Sequence, residues 1–144
     1  MKAAIFLRIA AVLTLIHAIL HTVGGVFGKT PSGPAGLAVA AMKSNPFPLM
    51  GHIRTLWEFY RGMGLAASVS LTMEAAAFWT LASIVSSVGA RLRPVLLVFA
   101  VGYLALAVNS YVYFFAAPVI TEILIAACLV MAVAGAREPR QKLA

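Results

Sequence analysis

Charge is scarce in this chain. Only 10% of its 144 residues are Asp, Glu, Lys or Arg, against about 25% in an average soluble domain. So few charges cannot coat a water-exposed globule, which argues against a soluble fold. Acidic residues are the scarcest, four against eleven basic ones. Cysteine is nearly absent too. Cys128 stands alone in an apolar run, so no intrachain disulfide can form and the redox compartment cannot be read. It reads as a small apolar side chain facing lipid or a neighbouring helix. No basic stripe is interleaved with aromatic residues, so the net charge of +7 does not point to nucleic acid. Internal repeats, low-complexity tracts and a Glu-x-x-His motif are also missing.

What the chain has instead is apolar length. It is 62% hydrophobic, with a mean hydropathy of +0.98, and a spanning helix needs about 20 mostly apolar residues. Four stretches qualify: 3–27, 56–88, 94–117 and 118–135. Pro94 suits a first helical turn, and Gly135 suits a stop. The expected fold is therefore all-α, a single polytopic domain built as an antiparallel four-helix transmembrane bundle. A long loop, 29–51, carries Pro31, Pro34, Pro46 and Pro48 around an Ala-rich piece at 35–43 that reads as a short interfacial helix. The first stretch could instead be a cleaved signal peptide, but Arg8 inside the run, His17 and His21 near its end and the absence of a small-residue cleavage site oppose that.

The basic residues orient the bundle. Lys2 and Arg8, then Arg91 and Arg93, then Arg137, Arg140 and Lys142 share one side under a four-span topology. Lys29, Lys43, Arg54 and Arg61 fall on the other. The excess places both termini in the cytoplasm and the chain in the cytoplasmic membrane. Arg54 and Arg61 run against that rule, which calls for a local reason.

Ionisable groups at membrane depth are costly and are functional candidates by default. His17 and His21 are spaced i,i+4, with Thr14 one turn before them. Arg54, Glu58 and Arg61 follow i, i+4, i+7 on one expected helical face. Asn109 and Tyr113 are again i,i+4, and Glu122 opens the last helix. The predicted topology brings His17, His21, Arg54, Glu58, Arg61, Asn109, Tyr113 and Glu122 to a similar depth. They are expected to line a polar pocket in the outer half of the bundle, with Glu58 paired to Arg54 or Arg61. The same residues have plainer readings as an interfacial ion-pair stripe, interhelical hydrogen bonders and a helix-dipole partner. Trp57, Tyr103, Tyr111 and Tyr113 can serve as interfacial aromatic anchors. Glu74 lies roughly 24 Å from Glu58 along a straight helix and so outside that pocket. It is expected to be structural. Gly62, Ala66 and Ser70, with Gly24 and Gly25, are expected at close helix contacts.

Two stretches carry a resemblance. His17-Ala-Ile-Leu-His21-Thr22-Val-Gly24 and Met50-Gly51-His52-Ile-Arg54-Thr-Leu-Trp-Glu58-Phe-Tyr60-Arg-Gly62-Met-Gly64 resemble a family of small bacterial membrane proteins with a helical His pair, a Pro-containing outer loop and an acidic-Phe-Tyr-x-Gly run. The resemblance implies four helices and brings no activity. In residue types alone the chain is also similar to the emopamil-binding sterol isomerases, small bundles with intramembrane His and Glu.

Three functions are open at this stage. A lipid- or ligand-binding or accessory membrane protein, with membrane lipids as partners and a homo-oligomer or larger complex as its setting, needs only the pocket. An intramembrane enzyme would use Glu58, Glu122, His17 and His21 for proton transfer on a lipid or isoprenoid, with Arg54 and Arg61 holding an anionic head group. A metal site would draw on His17, His21, His52 and Glu58. The sequence assigns no cofactor.

Overall fold

The structure, a computed structural model, describes residues 2–136. It is helical almost throughout. Helix α1 (Lys2–Leu20) runs into a π-helical segment (His21–Val26), and α2 (Gly33–Ser44) follows. A short antiparallel hairpin of β1 (Pro46–Leu49) and β2 (His52–Thr55) leads into α3 (Leu56–Val88). A 3-10 turn (Gly89–Leu92) joins α3 to α4 (Arg93–Tyr113), and α5 (Ala116–Gly135) closes the described chain. Three helical runs are long and apolar enough to cross a membrane: Lys2–Val26, Leu56–Tyr113 and Ala116–Gly135. The middle one has 58 residues, about 87 Å if it were straight. It is not straight. Gly89 takes a positive φ of 61°, a conformation glycine adopts without steric cost, and side chains on either side of the turn meet. Phe78 packs edge-on to Phe99 at 5.0 Å between ring centroids and also lies against Tyr103.

The chain divides into two compact units, Met1–His17 with Leu71–Ala144, and Ala18–Ser70. The first, unit 1, is a layer of helices packed around small side chains. Ala3, Leu7, Ala10 and Ala11 come from α1, and Phe78, Ala82 and Val85 from α3. Leu96, Ala100 and Tyr103 come from α4, and Ile125, Ala126, Leu129 and Ala132 from α5. The interior positions of α4 are Leu96, Ala100, Tyr103, Ala107 and Ser110, alternating steps of four and three, the spacing of a helix that shows one seam to its neighbours. Alanines along the seams let backbones approach. At Gly135 a side chain would come within 3.0 Å of the Ala3 backbone nitrogen. The outward residues of the same helices are apolar: Ile9, Val12 and Ile16 on α1, Val101, Leu104 and Val108 on α4, and Ile120 and Leu124 on α5 are all exposed. A helix that is apolar all round belongs in a core or a membrane.

One end of unit 1 gathers the start of α1, the start of α4 and the end of α5. Ala3 touches Gly135, and the Arg93 guanidinium donates from Nε to the Ala136 carbonyl at 3.0 Å, satisfying a carbonyl that the helix end leaves open. Arg8 lies over the Trp79 ring at 5.7 Å.

In unit 2 the tip of the β-hairpin is Met50-Gly51, both with positive φ, 46° and 85°, the signature of the two-residue turn that suits hairpin twist. Pro46 and Pro48 sit in a two-stranded ribbon, where edge positions tolerate a missing N–H. The hairpin occupies part of the segment expected as loop, and α2 extends the expected 35–43 piece at both ends. Arg54 lies on β2 and not on the helix, so the expected helical stripe of Arg54, Glu58 and Arg61 does not form. Gly62 has nothing within 4 Å of the place a side chain would take, and Ala66 and Ser70 are exposed. The close face is instead Gly64 and Ser68. A side chain on Gly64 would come within 2.9 Å of Val26 Cγ2. Gly24 likewise has open space, and Gly25 faces only the His21 ring.

Candidate functional site

Polar groups inside unit 1 form two sets on one face of α4. Tyr103, 1% exposed, lies among Phe78, Phe99 and the α5 seam and is not an interfacial anchor. A buried phenol needs a partner, and it has two. Its hydroxyl donates to Glu74 Oε2 at 2.5 Å and lies 3.3 Å from Thr14 Oγ1, itself fully buried. Glu74 is thus tied into a three-helix network. Two turns farther along α4, Ser110 Oγ donates to Glu122 Oε1 at 3.0 Å. Glu122 is 5% exposed, and its Oε2 is buried without a hydrogen-bond partner among the described residues. His17 is half-buried one turn beyond Thr14 on α1. Four helices therefore contribute a hydroxyl, a carboxyl or an imidazole to an interior made mostly of Ala, Leu, Ile, Val and Phe.

Asn109 and Tyr113, expected to face inward, are exposed. The seam of α4 passes through Ala107 and Ser110, and a step of one residue rotates a side chain about 100° off it. Tyr111 and Tyr113 keep the exposure that interfacial anchors require. On the outer side of α4 and α5, Leu104, Ala107, Val108, Tyr111, Val119 and Ile123 line an open, largely apolar depression of about 360 Å³.

In unit 2 the candidate residues mostly serve the backbone. His21 Nε2 lies 3.1 Å from the Gly64 carbonyl oxygen, beside the face where Gly64 meets Val26. Thr22 Oγ1 is 2.6 Å from the Ala18 carbonyl and 2.8 Å from Ser68 Oγ. Among the described residues, Glu58 does not pair with arginine. Its Oε2 accepts from the Thr55 amide at 2.7 Å, and the Glu58 amide donates to Thr55 Oγ1 at 3.2 Å. This reciprocal arrangement is a capping box, and the sequence Thr55-Leu-Trp-Glu58 carries its signature, which overlaps the Arg54, Glu58 and Arg61 charge spacing. Arg54 donates from Nη1 to the Ile53 carbonyl. The Arg61 guanidinium lies 4.9 Å over the Phe27 ring, and Lys43 Nζ lies 4.7 Å over Trp57.

No group of three or more His, Cys, Asp or Glu side chains that could hold a metal ion occurs among the described residues, so His17, His21, His52 and Glu58 do not form a joint ligand set. His52 is on β2, and His21 is bonded to Gly64. Compared with known proteins, the chain matches no family model, no curated protein and no solved structure.

Proposed function

We propose that this is a four-span membrane protein that binds a small membrane-dissolved molecule, whose polar group is taken by Glu122 beside Ser110. The spans are α1 with its π-helical continuation, α3, α4 and α5. Three findings support the membrane reading: apolar helices of sufficient length, their apolar exteriors, and the reversal at Gly89 that divides the 58-residue run. Helices α4 and α5, with 21 and 20 residues, match a hydrocarbon core of about 30 Å. Lys2, Arg8, Arg91 and Arg93 belong to the chain segments that meet at one end of unit 1, which favours that end as cytoplasmic. Arg137, Arg140 and Lys142, which carry the same vote, lie outside the described residues. Reporter fusions after Pro34 and after Ala144 should give opposite signals, the second cytoplasmic. The same signal at both would contradict four spans.

The observation that carries the binding reading is Glu122 Oε2. A buried polar atom without a partner costs about 1–3 kcal/mol, more when charged, and the penalty is greater where no water can reach. The cost is recovered when a donor such as an alcohol or amine reaches that oxygen. The apolar depression beside α4 and α5 offers a surface for the rest of such a molecule. This narrows the expected pocket to unit 1. Mass spectrometry of molecules extracted from the purified protein tests it. The wild type should retain a species enriched over bulk membrane lipid, and Glu122→Ala should lose it. Equal composition in both would contradict the reading.

A second reading, acid–base catalysis on such a molecule, is favoured by the Tyr103–Glu74 bond, whose 2.5 Å length is that of a strong hydrogen bond to a carboxylate. Turnover of the retained species by the wild type and its loss in Tyr103→Phe would establish it.

A further inference from the structure

Unit 2 carries its own ligand chemistry, separate in residues from the Glu122 site. Four of its side chains are Lys or Arg (Lys29, Lys43, Arg54 and Arg61), and its one acid, Glu58, is held in the capping box against the Thr55 amide and hydroxyl. The basic charge is therefore not neutralised from within by a facing carboxylate. Two of the cations are fixed in place. Lys43 sits over Trp57, Trp57 stacks on Tyr60 at 5.7 Å, and Arg61 sits over Phe27. Trp57 and Arg61 are spaced i,i+4 on α3, so they are neighbours on one face. The aromatic rings thus hold an ammonium and a guanidinium on the same stretch of surface.

An apolar track leads to this spot. Leu20 ends α1, Val23 lies in the π-helical segment and Phe27 follows it, and all three are more than half exposed, Phe27 at 56%. Track and cations have the form of an acyl chain and its head group. The placement also explains why basic residues stand on the side that the charge-orientation rule disfavours. We propose that Lys43 and Arg61 bind the phosphate of an anionic phospholipid, with one acyl chain laid along Leu20, Val23 and Phe27. The guanidinium offers paired donors to phosphate oxygens, the ammonium adds a second positive charge, and Trp57 and Tyr60 are amphipathic rings of the kind that favour the head-group region.

The test uses the full chain, purified in detergent, stripped of lipid and examined by native mass spectrometry. The probes are dioleoylphosphatidylglycerol, dioleoylphosphatidylcholine and inorganic phosphate. The wild type should prefer phosphatidylglycerol to phosphatidylcholine by about thirtyfold, the order expected of two basic side chains at a membrane surface facing one negative charge. Lys43→Ala with Arg61→Ala should reduce the preference to within about twofold, and Lys43→Gln with Arg61→Gln, which keeps more of the aliphatic packing, should do the same. Arg91→Ala should retain most of it. No preference in the wild type, or an undiminished preference in both double variants, would overturn the proposal. Displacement of phosphatidylglycerol by millimolar inorganic phosphate would also overturn it, in favour of a soluble anion.

Discussion

Three of the four acids in this chain fall within the described residues, and the two compact units use them in opposite ways. In unit 1, Glu74 and Glu122 are bonded by hydroxyls from a different helix, Tyr103 and Ser110, with Glu74 half-buried and Glu122 buried among apolar side chains. In unit 2, Glu58 is exposed and bonded to a residue three positions back in its own chain. A local bond sets a helix start and asks nothing of the tertiary fold. A bond between helices in an apolar interior exists only when the helices are assembled, and leaves an uncompensated group if either partner is lost. The cations differ as well. Arg93 of unit 1 closes a helix end, whereas in unit 2 the exposed Lys43 and the half-buried Arg61 lie over aromatic rings. Unit 1 thus concentrates polar groups inside, and unit 2 presents them outside.

The largest effect that would sharpen this contrast is expected at Gly64. Gly64→Leu places a side chain where even Cβ would lie 2.9 Å from Val26. It also disturbs the His21 bond to the Gly64 carbonyl. Overpacking of this kind costs about 1–3 kcal/mol or more. Gly62→Leu, two residues away in open space, should leave stability within about 0.5 kcal/mol. Thermal unfolding in detergent reads both, and equal shifts would mean that Gly64 does not set the packing of this unit.

Next comes Tyr103→Phe. It removes the donor to Glu74 and the contact with Thr14 while preserving the ring, and should cost about 1–3 kcal/mol. Tyr111→Phe, on an 80% exposed side chain, should cost nothing measurable. If the two behaved alike in the same unfolding assay, the inner network of unit 1 would contribute no stability.

Smaller still is the cap of unit 2. Thr55→Ala should cost about 0.5–2 kcal/mol, while Glu58→Gln should be nearly silent, because glutamine also serves in a capping box. A large loss in Glu58→Gln, relieved when Arg61 is also replaced, would restore the ion-pair reading that the geometry of Glu58 opposes. The smallest effect is expected at the hairpin tip. Gly51→Ala, at φ 85°, should cost about 1 kcal/mol through the left-handed backbone alone, measurable as increased proteolysis of the 46–55 segment.

Helix positions were legible from apolar length and glycine and proline punctuation: 56–88 coincides with α3, and α4 and α5 differ from expectation by a few residues at their ends. The β-hairpin was not, because two prolines in four residues argue for a loop, while the positive-φ turn at Met50-Gly51 shows only in three dimensions. The choice of small-residue face was equally hidden. Gly62, Ala66, Ser70 and Gly64, Ser68 share the same four-residue spacing, and a two-residue offset is a rotation of about 200°. Spacing finds the motif without saying which face has a neighbour. Glu122 stood out because an acid in an apolar run does, but its partner Ser110, and the link between Glu74 and Tyr103, join residues 12 and 29 positions apart. No local pattern encodes that pairing. Charge spacing misled at Arg54, Glu58 and Arg61, where helical periodicity was applied across a strand-to-helix junction.

The most direct test of the account is an experimental structure of the protein purified with its native membrane components, read at Glu122. The account predicts a non-protein molecule with a donor atom within about 3 Å of Oε2, while Ser110 holds Oε1 and the body of the molecule lies against α4 and α5. A Glu122 side chain turned out to lipid, or one with both oxygens bonded to other protein groups and no foreign molecule beside it, would contradict it.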